Sequence, residues 1–403
     1  MSSYTDLSRP KEFATVLACC RVDSDAQKRA FLLDTVRDPE FDESALLAFS
    51  HRHGVLPLVY RSMKELADRE PSFPVRTLES FRSHYRQIAQ KNILLASELI
   101  RLQRLAEERG IPLLPFKGPL LAQIAYGDLT LRQFSDLDIL VRRQDFRPLA
   151  EILTRRNFVP YFPIERYRED RVLFDLNNDC PFYDRKRGIA IELHWEFFRK
   201  LALPTAVFAP WAETRRVTLN GVELHTLKDE THLLYHSLHG SKHLWERLIW
   251  IVDIDRFLRE CPDLDWEEIL SKARRLGARK MFLLGIFLAN ELLATPLPDP
   301  IQKACEPLRG DPIVTYVLSE LQSTDPTPEE SLIKWKKIVA LRDDTRHKIL
   351  TVLEFLFRPG INERRTVILP DRWFWLYWPL RPLGAGGRFV SSRLFGADSD
   401  GSR

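Results

Sequence analysis

The sequence contains no C-x-x-C pair. Its five cysteines, Cys19, Cys20, Cys180, Cys261 and Cys305, are odd in number and irregularly spaced. A zinc site built on paired thiols is therefore not expected, and buried thiols in a reducing compartment are the simplest account. Long hydrophobic runs are also missing. The longest, Met281 to Ala289, has nine residues, against roughly 20 for a spanning helix. The first ten residues are polar and lack the apolar centre of a signal peptide, so the expected location is the cytoplasm. No block of five or six like charges occurs, and no repeat on the scale of about 20–50 residues is evident. With 60 basic and 56 acidic residues, the net charge is only +4. A balance this even gives little general attraction to nucleic acid, and a long nucleic-acid partner is not expected.

What is present suits a folded protein. The 403 residues are 44% hydrophobic and 29% charged, enough for one large domain or about two to three ordinary ones. Residues 1–110 read as helical, with helix-like spacing over Cys19–Ala30, Glu43–His53, Leu58–Leu66 and Phe81–Arg109. In the last of these, Phe81, Tyr85, Ile88, Leu95, Leu99, Leu102 and Ala106 form a 3-4 stripe, and polar Asn92 fills the missing step. Gly110 suits a C-terminal cap.

The texture changes at Ile111. Ile111–Phe116, Phe134–Val141 and Ile189–Trp195 read as strands, and Val217–Thr226 as a hairpin turning at Asn220-Gly221. A short helix is expected from Gly118 through Tyr126, and another over Asp145–Arg156. The helical period returns over Thr231–Leu238, Leu244–Arg259, Trp266–Leu276, Arg279–Leu293 and Leu332–Phe357. Pro296–Pro300 and Thr324–Pro328 read as loops, and Ala397–Arg403 as a disordered tail. The expected organisation is thus a helical region (1–110), an α/β core (111–226), a helical domain (227–358) and an aromatic, basic tail (359–403).

The chemistry points to Ser135-Asp136-Leu137-Asp138-Ile139-Leu140-Val141. On a strand, Asp136 and Asp138 project from one face while Leu137, Ile139 and Val141 take the other. Adjacent carboxylates repel, and one is driven to protonate unless compensated. A divalent cation offers that compensation, since Mg²⁺ takes oxygen ligands and bridges carboxylates to phosphates. A solvated strand edge is the alternative reading. The apolar context of these acids disfavours it, because isolated charge is costly there.

The string Phe116-Lys117-Gly118, followed by Tyr126-Gly127, Arg132 and Asp136-Leu137-Asp138, resembles the bacterial uncharacterised nucleotidyltransferase family of the polymerase β-like superfamily. That family is in turn similar to nucleotidyltransferase toxins of the abortive-infection type. The resemblance covers most of residues 40–260. It extends to Glu192-Leu193-His194-Trp195 and to a helical H-x₃-H-x-W-x-R element at His239, His243, Trp245 and Arg247, with Asp253 beyond. It implies an α+β fold: a polymerase β-like core flanked by N- and C-terminal helical regions. It further implies Asp136, Asp138 and a third acid, Glu192, as catalytic and metal-binding residues for Mg²⁺ or Mn²⁺. The substrate would be a nucleoside triphosphate, and the acceptor is left open among small molecule, peptide, protein and RNA end. Two positions depart from the superfamily pattern. Pro119 follows the glycine and removes one amide donor, and Glu192 stands where Asp is usual. Asp175, Asp179, Asp184 and Glu196 are weaker candidates for the third acid.

The expected nucleotide-binding residues are Lys117, Gly118, Arg132, Ser135, His239, Lys242 and Arg247. For each a plainer reading stands beside it: a solvated lysine, a surface ion pair of little worth for Arg132, a packing helix for the histidines. His232, His236, His239 and His243 follow a 4-3-4 spacing that also admits zinc, although no H-E-x-x-H motif is present. The segment Asp371–Pro382 is densely aromatic, with Arg388 and Arg393 beyond. It suits peripheral contact with a membrane, a base-stacking surface, or a tail wrapped on the helical core. Two readings from other classes stay open, a nucleotide-binding pseudoenzyme and a membrane-peripheral module.

Overall fold

In the computed structural model, the described residues are 10–22, 26–74, 76–166, 170–198, 202–323, 331–360, 369 and 371–382. The expected Thr324–Pro328 loop, the Ala397–Arg403 tail, Arg388 and Arg393 lie outside them. Five helices come first: α1 (Lys11–Cys20), α2 (Ala26–Arg37), α3 (Glu43–His53), α4 (Leu56–Arg69) and α5 (Arg76–Glu107). The expected Cys19–Ala30 helix is thus corrected. Helix α1 ends at Cys20 and Arg21 is extended, so Ala26 begins a separate element. The remaining early boundaries hold to within a few residues, as frayed ends allow.

Next come β1 (Leu114–Pro115), α6 (Gly118–Tyr126), β2 (Asp136–Leu140), α7 (Arg143–Arg155), β3 (Val159–Pro160), α8 (Asp170–Leu176), β4 (Asp179–Asp184), β5 (Ile189–His194) and the hairpin β6 (Thr214–Leu219) with β7 (Val222–Leu227). Strands β1 to β5 form one mixed sheet in the order β1-β2-β5-β4-β3. Within it β2 and β5 run parallel, and their neighbours pair antiparallel. The expected strand at Ile111–Phe116 shrinks to two residues. Strand β4 was not anticipated, because Asp179-Cys-Pro-Phe-Tyr-Asp184 carries a proline that reads as a breaker. Pro181 nevertheless occupies a ladder position opposite Glu192.

The chain then returns to helix: α9 (Asp229–Lys242), α10 (Leu248–Glu260), α11 (Trp266–Arg275), α12 (Arg279–Leu293), α13 (Asp299–Cys305), α14 (Pro312–Gln322), α15 (Ser331–Ala340) and α16 (Thr345–Phe357). Three expectations change here. The Leu244–Arg259 helix begins only at Leu248, and the H-x₃-H-x-W-x-R element is not one helix, because Leu244 and Trp245 take positive φ (51° and 56°) between α9 and α10. The Leu332–Phe357 helix is two helices, because the Asp344 carboxylate caps the second by accepting from the His347 amide. Asp299 and Pro300 open α13 rather than ending a loop, as proline is tolerated in a first turn. An apolar core runs without interruption from Phe13 to Leu341, joining the N-terminal helices, the sheet and the later helices.

Polar groups inside this core position the segment before β2. Asn92, the gap in the α5 stripe, is fully buried and donates to the carbonyls of Leu129 (2.6 Å) and Arg132 (2.8 Å). Tyr85, also on α5, donates to Thr130 at 2.8 Å. Buried Glu98 accepts from Arg156 at 3.0 Å and Arg187 at 2.5 Å, tying α5 to the end of α7 and to the β4–β5 turn. From the other side, Asp253 on α10 accepts from both arms of Arg132 (2.8 and 2.9 Å) and from the Tyr126 hydroxyl (2.7 Å). Arg132 and Asp253 are 7% and 2% exposed. Breaking such a pair strands a charge away from water. We expect Asp253→Ala to destabilise the fold by about 3–5 kcal/mol, read as a lower urea midpoint. Exposed Asp68→Ala should change it by less than about 1 kcal/mol.

Candidate active site

The sheet separates two environments. In register, Asp138 lies beside Glu192, and Leu140 beside His194. Glu192 in turn lies beside Pro181, and His194 beside Asp179. Side chains in register share a face, so Asp136, Asp138, Glu192, His194 and Asp179 gather on one side. Leu137, Ile139, Ile191, Leu193, Cys180 and Phe182 take the other, and all are buried. The alternation expected from sequence is realised, and the acidic face of β2 continues across two further strands.

Gly118 brings the phosphate-type turn onto this face. Its φ is +53°, and a Cβ there would lie 3.2 Å from the Asp136 carbonyl oxygen. Both the backbone conformation and the close approach require glycine. Pro119 sits in the first turn of α6, where an amide hydrogen would have no intrahelical partner. Its cost is therefore confined to anion binding. Lys117 caps this helix in extended conformation and sends its Nζ to Asp138 Oδ1 at 2.8 Å.

The electrostatics follow from that contact. Burial raises the energy of Asp138 as an anion, but Lys117 and His194 outweigh it and hold its carboxyl well below the usual range. Burial alone would lower the Lys117 ammonium, yet Asp138 holds it above the ordinary lysine value. Asp136 has no such partner among the described residues. Burial and the neighbouring charges of Asp138 and Glu192 push its carboxyl up to about 6. His194, 6% exposed, approaches Asp138 at 3.2 Å, Glu192 at 3.4 Å and Asp179 at 3.8 Å. Burial opposes its charge, but these three carboxylates prevail and hold the imidazolium up to about 9.

The sequence places His194 on the same strand face as Glu192 without marking it as a functional residue. The usable signal was its position two residues after Glu192, on the same strand face. Its two ring nitrogens are buried without a partner in hydrogen-bond geometry. Among the described residues, Asp138, Glu192 and His194 place ligand atoms within 4.8 Å of one another, a spacing that could hold a metal ion. Asp136 is outside that tight group but on the same face. Trp195 plays another part: it packs edge-on against Phe146 and Phe174 and donates to the Asn177 carbonyl at 3.0 Å.

The other expected residues are placed as follows. Ser135 is exposed immediately before β2. Helix α9 flanks the site through Tyr235, whose ring lies 5.5 Å from Lys117 Nζ. Lys242 and His239 are half-buried on that helix. Burial, then Lys117, lowers the Lys242 ammonium, while Asp179, Glu192 and Asp138 pull it upward. Among the described residues Lys242 forms no ion pair. His239 is held neutral, well below the ordinary histidine value, first by burial and then by Lys117. Arg132 directs Nε and Nη2 to the two carboxylate oxygens of Asp253, so that side of its guanidinium is not open to the site. Arg247 donates from Nε to the Arg52 carbonyl at 3.2 Å. His232 bonds Thr226 (2.9 Å) and faces His236 (3.4 Å) inside the core. The only metal-type group found among the described residues is the one on the sheet, so the four-histidine zinc reading is not carried. Trp245 is fully buried, and added methyls at Gly240 or Gly285 would collide with its ring.

The family model described as Uncharacterised nucleotidyltransferase matches residues 39–294. The chain belongs to this family. Comparison with curated proteins and with solved structures finds no match. The matched span takes in every group on the acidic sheet face, together with α9 and α10. Membership of this uncharacterised nucleotidyltransferase family implies a nucleoside triphosphate as substrate.

One consequence can be tested without substrate. A carboxyl whose pKa is raised from 3.8 to about 6 on folding binds more protons in the folded state between those values. Stability then falls as pH rises through that window, and the full penalty applies at pH 7. In chelator, Asp136→Asn should be more stable than the parent at pH 7.5, by about 3 kcal/mol. Melting curves should converge below about pH 3, where the parent carboxyl is protonated in both states.

Proposed function

We propose that this chain transfers a nucleoside monophosphate from a nucleoside triphosphate to an acceptor hydroxyl, on a core of polymerase β type. The observation that carries this is the parallel pairing of β2 with β5, which sets Asp138 directly beside Glu192 with Asp136 on the same face. The antiparallel β1 and the glycine turn at Gly118 complete a strand-turn-helix-strand unit of the kind that supports nucleotidyl transfer.

The residues fit a divalent cation. Asp136, Asp138 and Glu192 supply oxygen donors suited to Mg²⁺ or Mn²⁺, and His194, held charged beside Asp138 and Glu192, would join them as a nitrogen donor on losing its proton. Such an ion would neutralise triphosphate charge and polarise the reacting phosphoryl group. The Asp136 carboxyl, raised to about 6 by burial and by the charges of Asp138 and Glu192, marks the negative charge that such a cation would relieve. Lys117 now supplies the counter-charge to Asp138, and it is placed to transfer that charge to a β- or γ-phosphate when nucleotide arrives. Lys242, half-buried and without an ion pair among the described residues, presents a second cation from α9 toward the same space. Arg132 acts through Asp253 as a positioning residue for the segment leading into β2.

The test is transfer of label from each α-labelled nucleoside triphosphate in Mg²⁺ or Mn²⁺, with cell extract supplying acceptors. Label should move into a product with the native chain. Asp136→Ala, Asp138→Ala and Glu192→Gln should each lower the rate by about 100-fold or more, with melting temperatures at or above the parent's for Asp136→Ala. Transfer that survives Asp136→Ala/Asp138→Ala would sink the assignment. Metal-dependent nucleotide binding with no transfer in any extract would favour the pseudoenzyme. For Lys242→Ala we expect a raised KM for nucleotide and a smaller change in kcat, measured by initial rates.

A further inference from the structure

Helix α16 is built inside out. Ile349, Leu353 and Leu356 follow the 3-4 spacing of an amphipathic stripe, yet they are 53%, 44% and 39% exposed, and Thr351 is the buried residue of this helix. The segment 371–382 extends the same surface, since Arg381 Nε donates to the Phe355 carbonyl of α16 at 3.1 Å. The expected wrapping of this segment on the core holds for Tyr377, which is buried. It fails for Trp373, Trp375 and Trp378, which are 49%, 65% and 44% exposed. Of the eighteen large apolar side chains exposed among the described residues, twelve fall between residues 332 and 380. A concentration of this kind marks an interaction surface.

The charge around it selects the occupant. Residues 331–360 and 371–382 carry nine lysines and arginines against four aspartates and glutamates; Arg342 is buried and Lys334 and Arg358 pair with Glu246 and Glu196, while Lys336, Arg346 and Arg372 are exposed. A second copy docking through a two-fold axis would set this basic surface against itself. A surface of anionic lipid headgroups meets both features. Tryptophan favours the depth where acyl chain gives way to headgroup, and basic residues are drawn to the negative leaflet. No helix among the described residues is long and apolar enough to cross a membrane, so the contact is peripheral.

We propose that α16 and residues 371–382 dock this protein on an anionic membrane surface, with the three tryptophans and the α16 stripe inserted at the headgroup boundary. Binding through this face is independent of the transfer chemistry assigned to the sheet.

The experiment is co-sedimentation of the full chain with phosphatidylcholine vesicles, with and without phosphatidylserine. Binding is expected to the phosphatidylserine vesicles, falling as salt is raised. Trp373→Ala/Trp375→Ala/Trp378→Ala and Ile349→Ser/Leu353→Ser/Leu356→Ser should each abolish it. These side chains are exposed, so both variants should keep the parent melting temperature. Arg372→Glu should weaken partitioning by about fivefold or more. Failure to bind either vesicle overturns the proposal. So does binding that the tryptophan variant retains. Sedimentation velocity without lipid supplies the last outcome: a dimer abolished by the same variants would assign this face to a second copy.

Discussion

Two carboxylates two residues apart on one strand, one of them 4% exposed, are the constraint around which this molecule is arranged. In a low-dielectric interior that pair cannot stay doubly ionised without nearby positive charge. Lys117 supplies it at 2.8 Å and His194 at 3.2 Å. The compensation is uneven. Asp138 is held ionised, and Asp136 is left with an elevated carboxyl. The two acids thereby differ in how far their charge is compensated within the protein.

Holding that arrangement requires rigidity in the parts that deliver it. Lys117 arrives from a helix cap, Asp136 and Asp138 from a strand, and the segment from α6 to β2, residues 127–135, is neither helix nor strand. Asn92, Tyr85 and Asp253 grip that segment from two sides. Each is a polar group taken from the middle of an otherwise apolar helix face. Their burial costs desolvation, which the completed hydrogen bonds offset. Arg132 belongs to this support. Its guanidinium fork, well shaped for phosphate, is spent on a carboxylate of the scaffold.

Much of this was legible in the residues themselves. The D-x-D strand, the glycine turn, the α5 stripe with its Asn92 gap and the Asn220-Gly221 hairpin follow from local periodicity and turn chemistry, and all are found close to where expected. Strand β4 was hidden because its proline argues against a strand, and a neighbouring strand overrode that local preference. The break between α15 and α16 was hidden because the apolar pattern continues across it, while the cap at Asp344 is a single side chain. Arg132 read as a phosphate ligand because nothing nearby in sequence shows Asp253, 121 residues away. Asp179 and His194 needed the sheet order before either could be placed against Asp138.

The sequence by itself determined which face of β2 carries charge and which is apolar, since alternation along a strand is a local property of the backbone. It also determined the glycine at the turn and the family to which the chain belongs. Tertiary structure alone decided which charges meet. Strand order set Glu192 beside Asp138 and His194 beside Asp179. Packing of α10 took Arg132 away from the site, and packing of α16 left its apolar stripe facing outward. Pair interactions depend on distance through space, and separation along the chain carries almost no information about that distance once several elements intervene.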